Sequence, residues 1–466
     1  MVRRWAVKGG PEGRGSRTPV DAENLPVTTD TSTGVFVRNG YIRTTHHSPL
    51  SSPTVYNTPR RYGPLMRERS PNEVLNWLVV VLAFSVPLYR AWVSLAAYLI
   101  LILWFFQGGL RERFDHLKKH RLTIAIVVFM GLNLLSLLWS EDPAGGFAYW
   151  RKYLYLLLVP VIASSLRPVF AARAFRAFLT GAVCSVLIMP VVILADLHIR
   201  HIHPGNPAAT MSHLDYSIVL AVAGLLVLVH LAHTRVPASR LWMWLTALVI
   251  ILGGLLLNIG RSGQFAFTAT LVVLIPFFLR RKHWFHRAAV LVCAGCVLIA
   301  AYAVVPRFQE RVDRGVVELH DAVFEHRVDT NQGKRIAGAL VGLEMIRSNP
   351  VLGTGIGGNM LEFRRLLESD FPGYIDEVGW FPHFHNQYLQ VATELGVVGL
   401  LSLLAIFAAL FAGRYRRPDV QSAALALGCA FLFGFIGDPF LHKQMTLVLF
   451  ALAAGIISAD DEVFES

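Results

Sequence analysis

LWMWLTALVIILGGLLLNIGRSGQFAFTATLVVLIPFFL, residues 241–279, is two apolar tracts joined by a short turn. A membrane-spanning helix needs roughly 20 mainly apolar residues, fewer where it packs inside a bundle. Leu241 to Asn258 and Gln264 to Leu279 meet that requirement, so the stretch reads as two spans. The turn Gly260-Arg261-Ser262-Gly263 gives its arginine little freedom to reach bulk water. Arg261 is therefore expected to face a cavity at the end of the bundle.

Working outward, further tracts of the same kind run near Val74 to Leu88, Ala91 to Phe106, Leu122 to Trp139, Trp150 to Leu166, Arg176 to Leu197 and Leu214 to Leu231. Beyond the pair come Ala288 to Val305, Glu394 to Gly413, Val420 to Ile436 and Met445 to Ser458. The expectation is an all-α integral membrane protein of about twelve transmembrane helices. Composition agrees: 54% of the 466 residues are hydrophobic and 16% charged, too apolar to cover a soluble surface. Basic residues concentrate in alternate loops, at Arg111 to Arg121, Arg167 and Arg173, Arg235 and Arg240, Arg280 to Arg287, and Arg414 to Arg417. Short loops rich in Lys and Arg stay cytoplasmic. Both termini then share that side, and Pro306 to Thr393 lies outside. The net charge of +12 is topological and does not point to nucleic acid, since the basic residues are dispersed among apolar spans.

Five regions follow. Residues 1–70, rich in Arg, Pro, Ser, Thr and Gly, are expected to be a disordered basic cytoplasmic tail. Residues 71–305 carry the first nine spans, 306–393 a large and mostly helical outer loop, 394–458 the last three spans, and 459–466 a short acidic tail. In the outer loop, Val316 to Val328 is amphipathic, and Lys334 to Arg347 is a second helix stopped by Asn349-Pro350. VLGTGIGG after it permits a tight turn whose amides could cradle an anion. Cys184, Cys293, Cys296 and Cys429 all fall in apolar spans and give no disulfide framework.

Basic residues on the outer face are few: Arg90, Arg151 with Lys152, Arg200, Arg261 and Lys443. Arginine's planar fork suits phosphate oxygens, so a converging set at lipid depth points to a phosphorylated lipid. Outer histidines cluster at His198, His201, His203 and His213, and again at His383 and His385. The HIRHIH run contains no Asp or Glu, and His383-x-His385 is not a standard helical pair, so no metal is expected. Read as one helix from Asn386 to Gly413, the tract after HFHNQ is about 40 Å long against an apolar thickness of about 30 Å. Its start projects, and His385 sits at headgroup level beside a helix N-terminus that favours a neutral, proton-accepting imidazole.

RIAGALVGLEMIRSNPVLGTGIGG followed by HNQYLQVATELGVVG, in a chain of about twelve spans with one large late outer loop, resembles the O-antigen ligase and polymerase superfamily of bacterial envelopes. The matching positions are Arg335 before a helix, Pro350 with Gly353 and Gly355, His385-Asn386 with Gly396 and Gly399, and Arg261 opening a span. The resemblance implies a GT-C-like glycosyltransferase in the bacterial inner membrane, acting on the periplasmic face. It transfers glycan from an undecaprenyl-diphosphate-linked O-antigen donor to a hydroxyl of lipid A-core. His385 would be the base; Arg261 and Arg335, with Arg90, Arg151 and Arg200, would bind the diphosphate. Asn386, His383 and His213 are secondary candidates, His383 with its side chain directed away from His385. No metal or cofactor is implied, and membrane lipids are the surroundings. The rivals are the superfamily's polymerase, a protein O-glycosyltransferase, and a polytopic transporter, which should show charged residues at mid-membrane and broken spans.

Overall fold

A computed structural model describes residues 35–38, 41–44, 71–198, 211–279, 306–325 and 327–461, with isolated positions between 292 and 304. The expected span Ala288 to Val305, the basic loop Arg280 to Arg287, Arg200 with His201 and His203, Cys293 and most of the tail before Pro71 lie outside the described residues. The chain divides into two units, Met1–Glu68 and Arg69–Ser466. In the first, Val35–Arg38 (β1) pairs antiparallel with Tyr41–Thr44 (β2).

The second unit is helical. Its elements are α1 (Pro71–Ser85), α2 (Arg90–Phe106), α3 (Leu110–Leu117), α4 (Arg121–Leu135), α5 (Pro143–Tyr153), α6 (Leu158–Ser165), α7 (Pro168–Leu194), α8 (His213–His233), α9 (Ala238–Leu257) and α10 (Arg261–Phe278). After them come α11 (Pro306–Phe324), α12 (Asn331–Ser348), α13 (Asn359–Ser369), α14 (Ile375–Val378), α15 (Gln387–Phe411), α16 (Pro418–Gly434) and α17 (Gln444–Ser458). Helix α8 is the hub, packed against α9, α10 and α16, while α1 packs on α7, α4 on α15, and α6 on α17. Large apolar side chains such as Phe105, Val128, Val191, Val249, Val272 and Leu401 face outward. An exterior of that kind suits lipid, and this is a multi-pass membrane protein.

Among the described residues, six helical stretches are long and apolar enough to cross a membrane, seven if α2 and α3, bent by 114°, count as one broken span. One of the twelve expected spans lies outside those residues, and others are short or broken for local reasons. Helices α1, α16 and α17 are apolar but shorter than the spanning length. The tract Trp150 to Leu166 is not one helix: α5 ends at Tyr153, Leu154–Leu157 is a 3-10 turn, and α6 follows. Pro160 cannot donate to the Leu156 carbonyl, and its ring crowds that group, so the helix cannot run through unchanged.

Helix α15 also departs from the single rod. Asn386 caps it, its Oδ1 accepting from the Tyr388 and Leu389 amides at 2.9 and 3.1 Å. At Gly396 the backbone leaves helical geometry, with φ 61° and ψ −154°. The break is sealed by the glycine-rich loop. Thr354 and Gly355 donate to the Thr393 and Glu394 carbonyls, both at 2.9 Å, and Val397 donates to the Pro350 carbonyl at 2.9 Å. Ile356 donates to Ser136 Oγ at 3.1 Å. These amides are spent inside the protein, which overturns the reading of VLGTGIGG as an anion cradle. A Cβ at position 396 would stand 2.3 Å from the Val351 carbonyl carbon, in a region of backbone space that only glycine occupies freely. Gly396→Ala is therefore expected to destabilise the protein by about 1–3 kcal/mol from backbone strain alone. Thermal unfolding in detergent measures this, and an unchanged midpoint would mean that the break is dispensable.

The segment between α10 and α15 has a core of its own, built from Ala337, Val341, Met345, Phe363, Leu367, Val378, Phe381 and Phe384. The glycines of RIAGALVG make it fit. Cβ atoms at Gly338 and Gly342 would meet the rings of Phe381 and Phe384 at 3.1 and 2.9 Å, so the α12 face that follows Arg335 is moulded to the two aromatics flanking His383. Tertiary contacts also sort the two ends of the bundle. At one end, His120 pairs with Asp461, His233 with Ser422, and Tyr415 bridges Asp461, which gathers there the basic loops beside Arg121, Arg235 and Arg414. The starts of α8 and α15 and the end of α16 lie at the other, and so does the candidate site.

Candidate active site

His385 lies just before the α15 cap and has a left-handed backbone, with φ 49°. For a non-glycine residue that conformation is uncommon and must be held by its surroundings. Phe384 N–H donates to Gln390 Oε1 at 3.1 Å, His385 N–H donates to His383 Nδ1 at 3.3 Å, and the ring meets Phe381 edge-on with centroids 5.1 Å apart. Its Nδ1 is 3.2 Å from Oδ1 of Asp438. An ionised carboxylate can only accept, so Nδ1 carries the hydrogen and Nε2 keeps its lone pair. The His385 side chain is 20% exposed and that of Asp438 is fully covered, so the ring can meet a substrate and the carboxylate can only hold the ring.

Asp438 comes from the loop between α16 and α17, and backbone ties fix its distance from His385. Gln387 N–H donates to the Phe435 carbonyl at 2.9 Å, and Leu441 N–H to Gln387 Oε1 at 2.8 Å. The second Asp438 oxygen takes a hydrogen bond from the Lys443 ammonium, which also lies 3.5 Å from Asp215 Oδ1 on α8. Burial pushes the Asp438 carboxyl up, but the His385 hydrogen bond and the Lys443 and His383 charges outweigh it and bring its pKa down to about 2. Burial likewise opposes the Lys443 charge, and the two aspartates more than restore it. Asp438 is thus a permanent anion at neutral pH.

Two arginines stand by. Arg261 is fixed because its turn packs on α8: Gly263 N–H donates to Ser217 Oγ at 3.0 Å, and a Cβ there would lie 2.2 Å from the Ser217 backbone. Its Nη1 is 3.8 Å from Glu318 Oε2 of α11. Half-buried Arg335 lies within electrostatic reach of Asp438, Arg261 and Glu318; burial pulls its pKa down, yet a guanidinium remains charged. Arg261 and Arg335 therefore converge beside the His385–Asp438 pair.

Of the other expected donor arginines, Arg200 lies outside the described residues. Arg90 donates from Nε to Gln444 Oε1 at 2.7 Å and lines a cavity of about 470 Å³ with Lys152, His213, Asp215, His442 and Lys443. Arg151 is exposed on the last turn of α5, outside that cavity. Lys152, the next residue of the same helix, is partly covered and lines the cavity. His213 lines the cavity, and Asn386 is engaged in capping α15. The expectation that His383 points away from His385 is also corrected, because the rings lie 4.5 Å apart at 73° and the left-handed turn at His385 brings them together.

His383, His385 and Asp438 offer three ligand atoms within 4.8 Å of one another, as a metal would require. Lys443 already holds the second Asp438 oxygen, and its ammonium opposes a cation there; a hydrogen-bonded dyad fits the donor set better. Burial pushes the His383 imidazole down to a pKa of about 3, against the pull of Asp438 and reinforced by His385, Lys443 and His442. Between its ordinary value of 6.5 and about 3, the unfolded chain binds a proton that the folded chain refuses, so stability falls as pH falls through that window. His383→Gln is expected to flatten the loss of melting temperature between about pH 7 and about pH 4 relative to the parent. Equal slopes would show that His383 takes up its proton without cost.

Asp438 and the double pairing of Lys443 were not found from sequence. The available signal was an aspartate in the short Gly437-Asp438-Pro439 connection, at the same end of the bundle as Lys443. Glu394 was also passed over. Buried at the α15 break, it accepts from Gln390 Nε2 at 2.7 Å and lies 3.4 Å from His442 Nε2, which Tyr153 OH approaches at 2.9 Å.

Together these features describe a polytopic membrane protein whose polar site, centred on a carboxylate-held histidine beside two arginines, opens at one end of the bundle. Residues 246–404 match the family model for O-antigen ligase, a stretch that contains Arg261, Arg335 and His385, and this supports the resemblance to the O-antigen ligase and polymerase superfamily. No curated protein matches the chain.

Proposed function

We propose that the protein is an O-antigen ligase of the bacterial inner membrane, with both termini cytoplasmic and its site on the periplasmic face. It moves glycan from undecaprenyl diphosphate to a hydroxyl of lipid A-core. The observation that carries this reading is the His385–Asp438 pair, with Nε2 of the ring left as a base, beside Arg261 and Arg335. In the reaction, Nε2 takes the proton of the acceptor hydroxyl as its oxygen bonds to the anomeric carbon of the donor sugar. The bond from that carbon to the diphosphate oxygen breaks, and undecaprenyl diphosphate leaves with the electron pair. Its charge needs stabilising and not protonating, which two guanidiniums can supply without a metal.

The orientation rests on the basic loops beside Arg121, Arg235 and Arg414, which gather at the end opposite the site. A transporter reading gains little from the α15 break, because backbone hydrogen bonds from the glycine-rich loop close it. The test supplies purified protein with lipid-linked glycan, with and without lipid A-core. Glycan is expected on lipid A-core and only when it is present. Chains that lengthen on the carrier, with none reaching lipid A-core, would make the protein the polymerase.

A further inference from the structure

Helix α11 lies over the fork of Arg261. A Cβ at Gly315 would stand 3.2 Å from Arg261 Nη1, so only a residue without a side chain lets the helix come this close. One turn on, on the same face, Glu318 places Oε2 3.8 Å from that nitrogen. Arg335 lies within electrostatic reach of the same carboxylate. Glu318 thus stands where an anion shared by the two arginines would have to come. It is poorly held there. Its side chain is 10% exposed, yet Oε2 has no hydrogen-bond partner among the described residues, and 3.8 Å is too long for one. A buried charge that has lost its water without gaining a close donor is unfavourable and calls for a reason beyond packing.

The helix that carries Glu318 is also free to move at low cost. None of its described residues belongs to the bundle core or to the core of the outer segment, and it packs chiefly against α12. Ala322 is buried near Glu318, while Val312, Val316, Leu319 and Val323 are exposed along the adjacent flank. We infer that Glu318 is a displaceable counter-ion of the donor site: it holds Arg261 when the site is empty, yields it to the diphosphate, and reclaims it as the spent carrier leaves. The inference rests on the reading of Arg261 as a donor ligand. A diphosphate carries more charge than a carboxylate and can engage the fork with two oxygens, so it wins Arg261 on entry. Breaking the glycosidic bond adds a negative charge to the diphosphate, so guanidiniums that stabilise its departure also hold the product more tightly than the donor. A carboxylate beside them opposes that product and speeds its release.

The test uses the full-length protein in nanodiscs of zwitterionic lipid, with farnesyl diphosphate and undecaprenyl diphosphate as probes. Glu318→Gln keeps the size and removes the charge. It is expected to bind farnesyl diphosphate roughly tenfold more tightly than the parent, within the usual range for coupled sites. Undecaprenyl diphosphate added to the transfer assay should inhibit the variant at about a tenth of the concentration that inhibits the parent. In an Arg261→Gln background the same change should gain about threefold or less, since only Arg335 is left for Glu318 to oppose. The melting temperature should not fall, because a buried charge is removed and the Arg261 side chain, 36% exposed, keeps its contact with water. A structural ion pair predicts the reverse, a lower melting temperature with diphosphate binding unchanged or weaker, and that result would overturn the proposal. A second measurement needs no variant. Saturating farnesyl diphosphate should speed hydrogen exchange at the α11 amides around Glu318 in the parent, and slower or unchanged exchange there would also overturn it. Tighter diphosphate binding by Glu318→Gln in a protein that transfers no glycan to lipid A-core would defeat the ligase reading and leave the counter-ion standing. Transfer by the parent, with equal diphosphate affinity in parent and variant, would do the opposite.

Discussion

Replacing His385 by alanine is expected to lower glycan transfer by about 10² to 10⁴-fold, the usual contribution of a general base. Donor binding and melting temperature should stay close to the parent. The ring is partly exposed and its one strong partner is Asp438, which keeps Lys443 when the imidazole is gone. Truncation therefore leaves no buried charge without a counter-ion, and the fold has little to lose. What it loses is the acceptor for the hydroxyl proton, so the effect should fall on kcat and not on the KM for lipid-linked glycan. A variant that keeps a tenth of the parent's activity, or one whose activity falls only in step with its stability, would remove His385 from the chemistry.

The position of His385 just before a helix start was legible in the sequence because its signals are local. A cap residue followed by an apolar run marks a helix start, and a histidine just before it has a predictable depth. Arg261 was legible for the same reason, being trapped in a turn too short to let it escape. Helix breaks were not, because hydropathy registers how apolar a tract is and not whether its backbone is continuous. Gly396 looks like any small residue in a span until Thr354 and Gly355 are seen to donate into the gap and Pro350 to accept from Val397. The same blindness affected the fourth span, where the 3-10 turn at Leu154–Leu157 interrupts the helix. Asp438 is 53 positions from His385 in the chain, and contacts such as the pairing of Gln387 with Phe435 and Leu441 bring the two loops together. Non-local contacts of that kind leave no periodic trace in a single sequence.

Asp438→Asn is the sharper test of the dyad, and its expected loss is of the same order, about 10² to 10⁴-fold in kcat. The reason lies in Lys443. An ammonium only donates, so the amide oxygen of the substituted side chain must turn toward Lys443, and its NH₂ group then faces His385 Nδ1. Nδ1 is forced to accept, the ring hydrogen moves to Nε2, and the base has no lone pair to offer the acceptor hydroxyl. Size and shape are almost unchanged, so a role in packing alone would predict nearly full activity. The assignment of cause can be checked by repeating the substitution with Lys443→Gln. A glutamine amide can present oxygen or nitrogen, which lets the neighbouring asparagine turn its oxygen back to Nδ1. The loss from Asp438→Asn should then be smaller in the Lys443→Gln background than in the parent, a coupling that a double-mutant cycle reads directly. Should Asp438→Asn retain more than about half of the parent's kcat at unchanged melting temperature, the carboxylate does not set the tautomer.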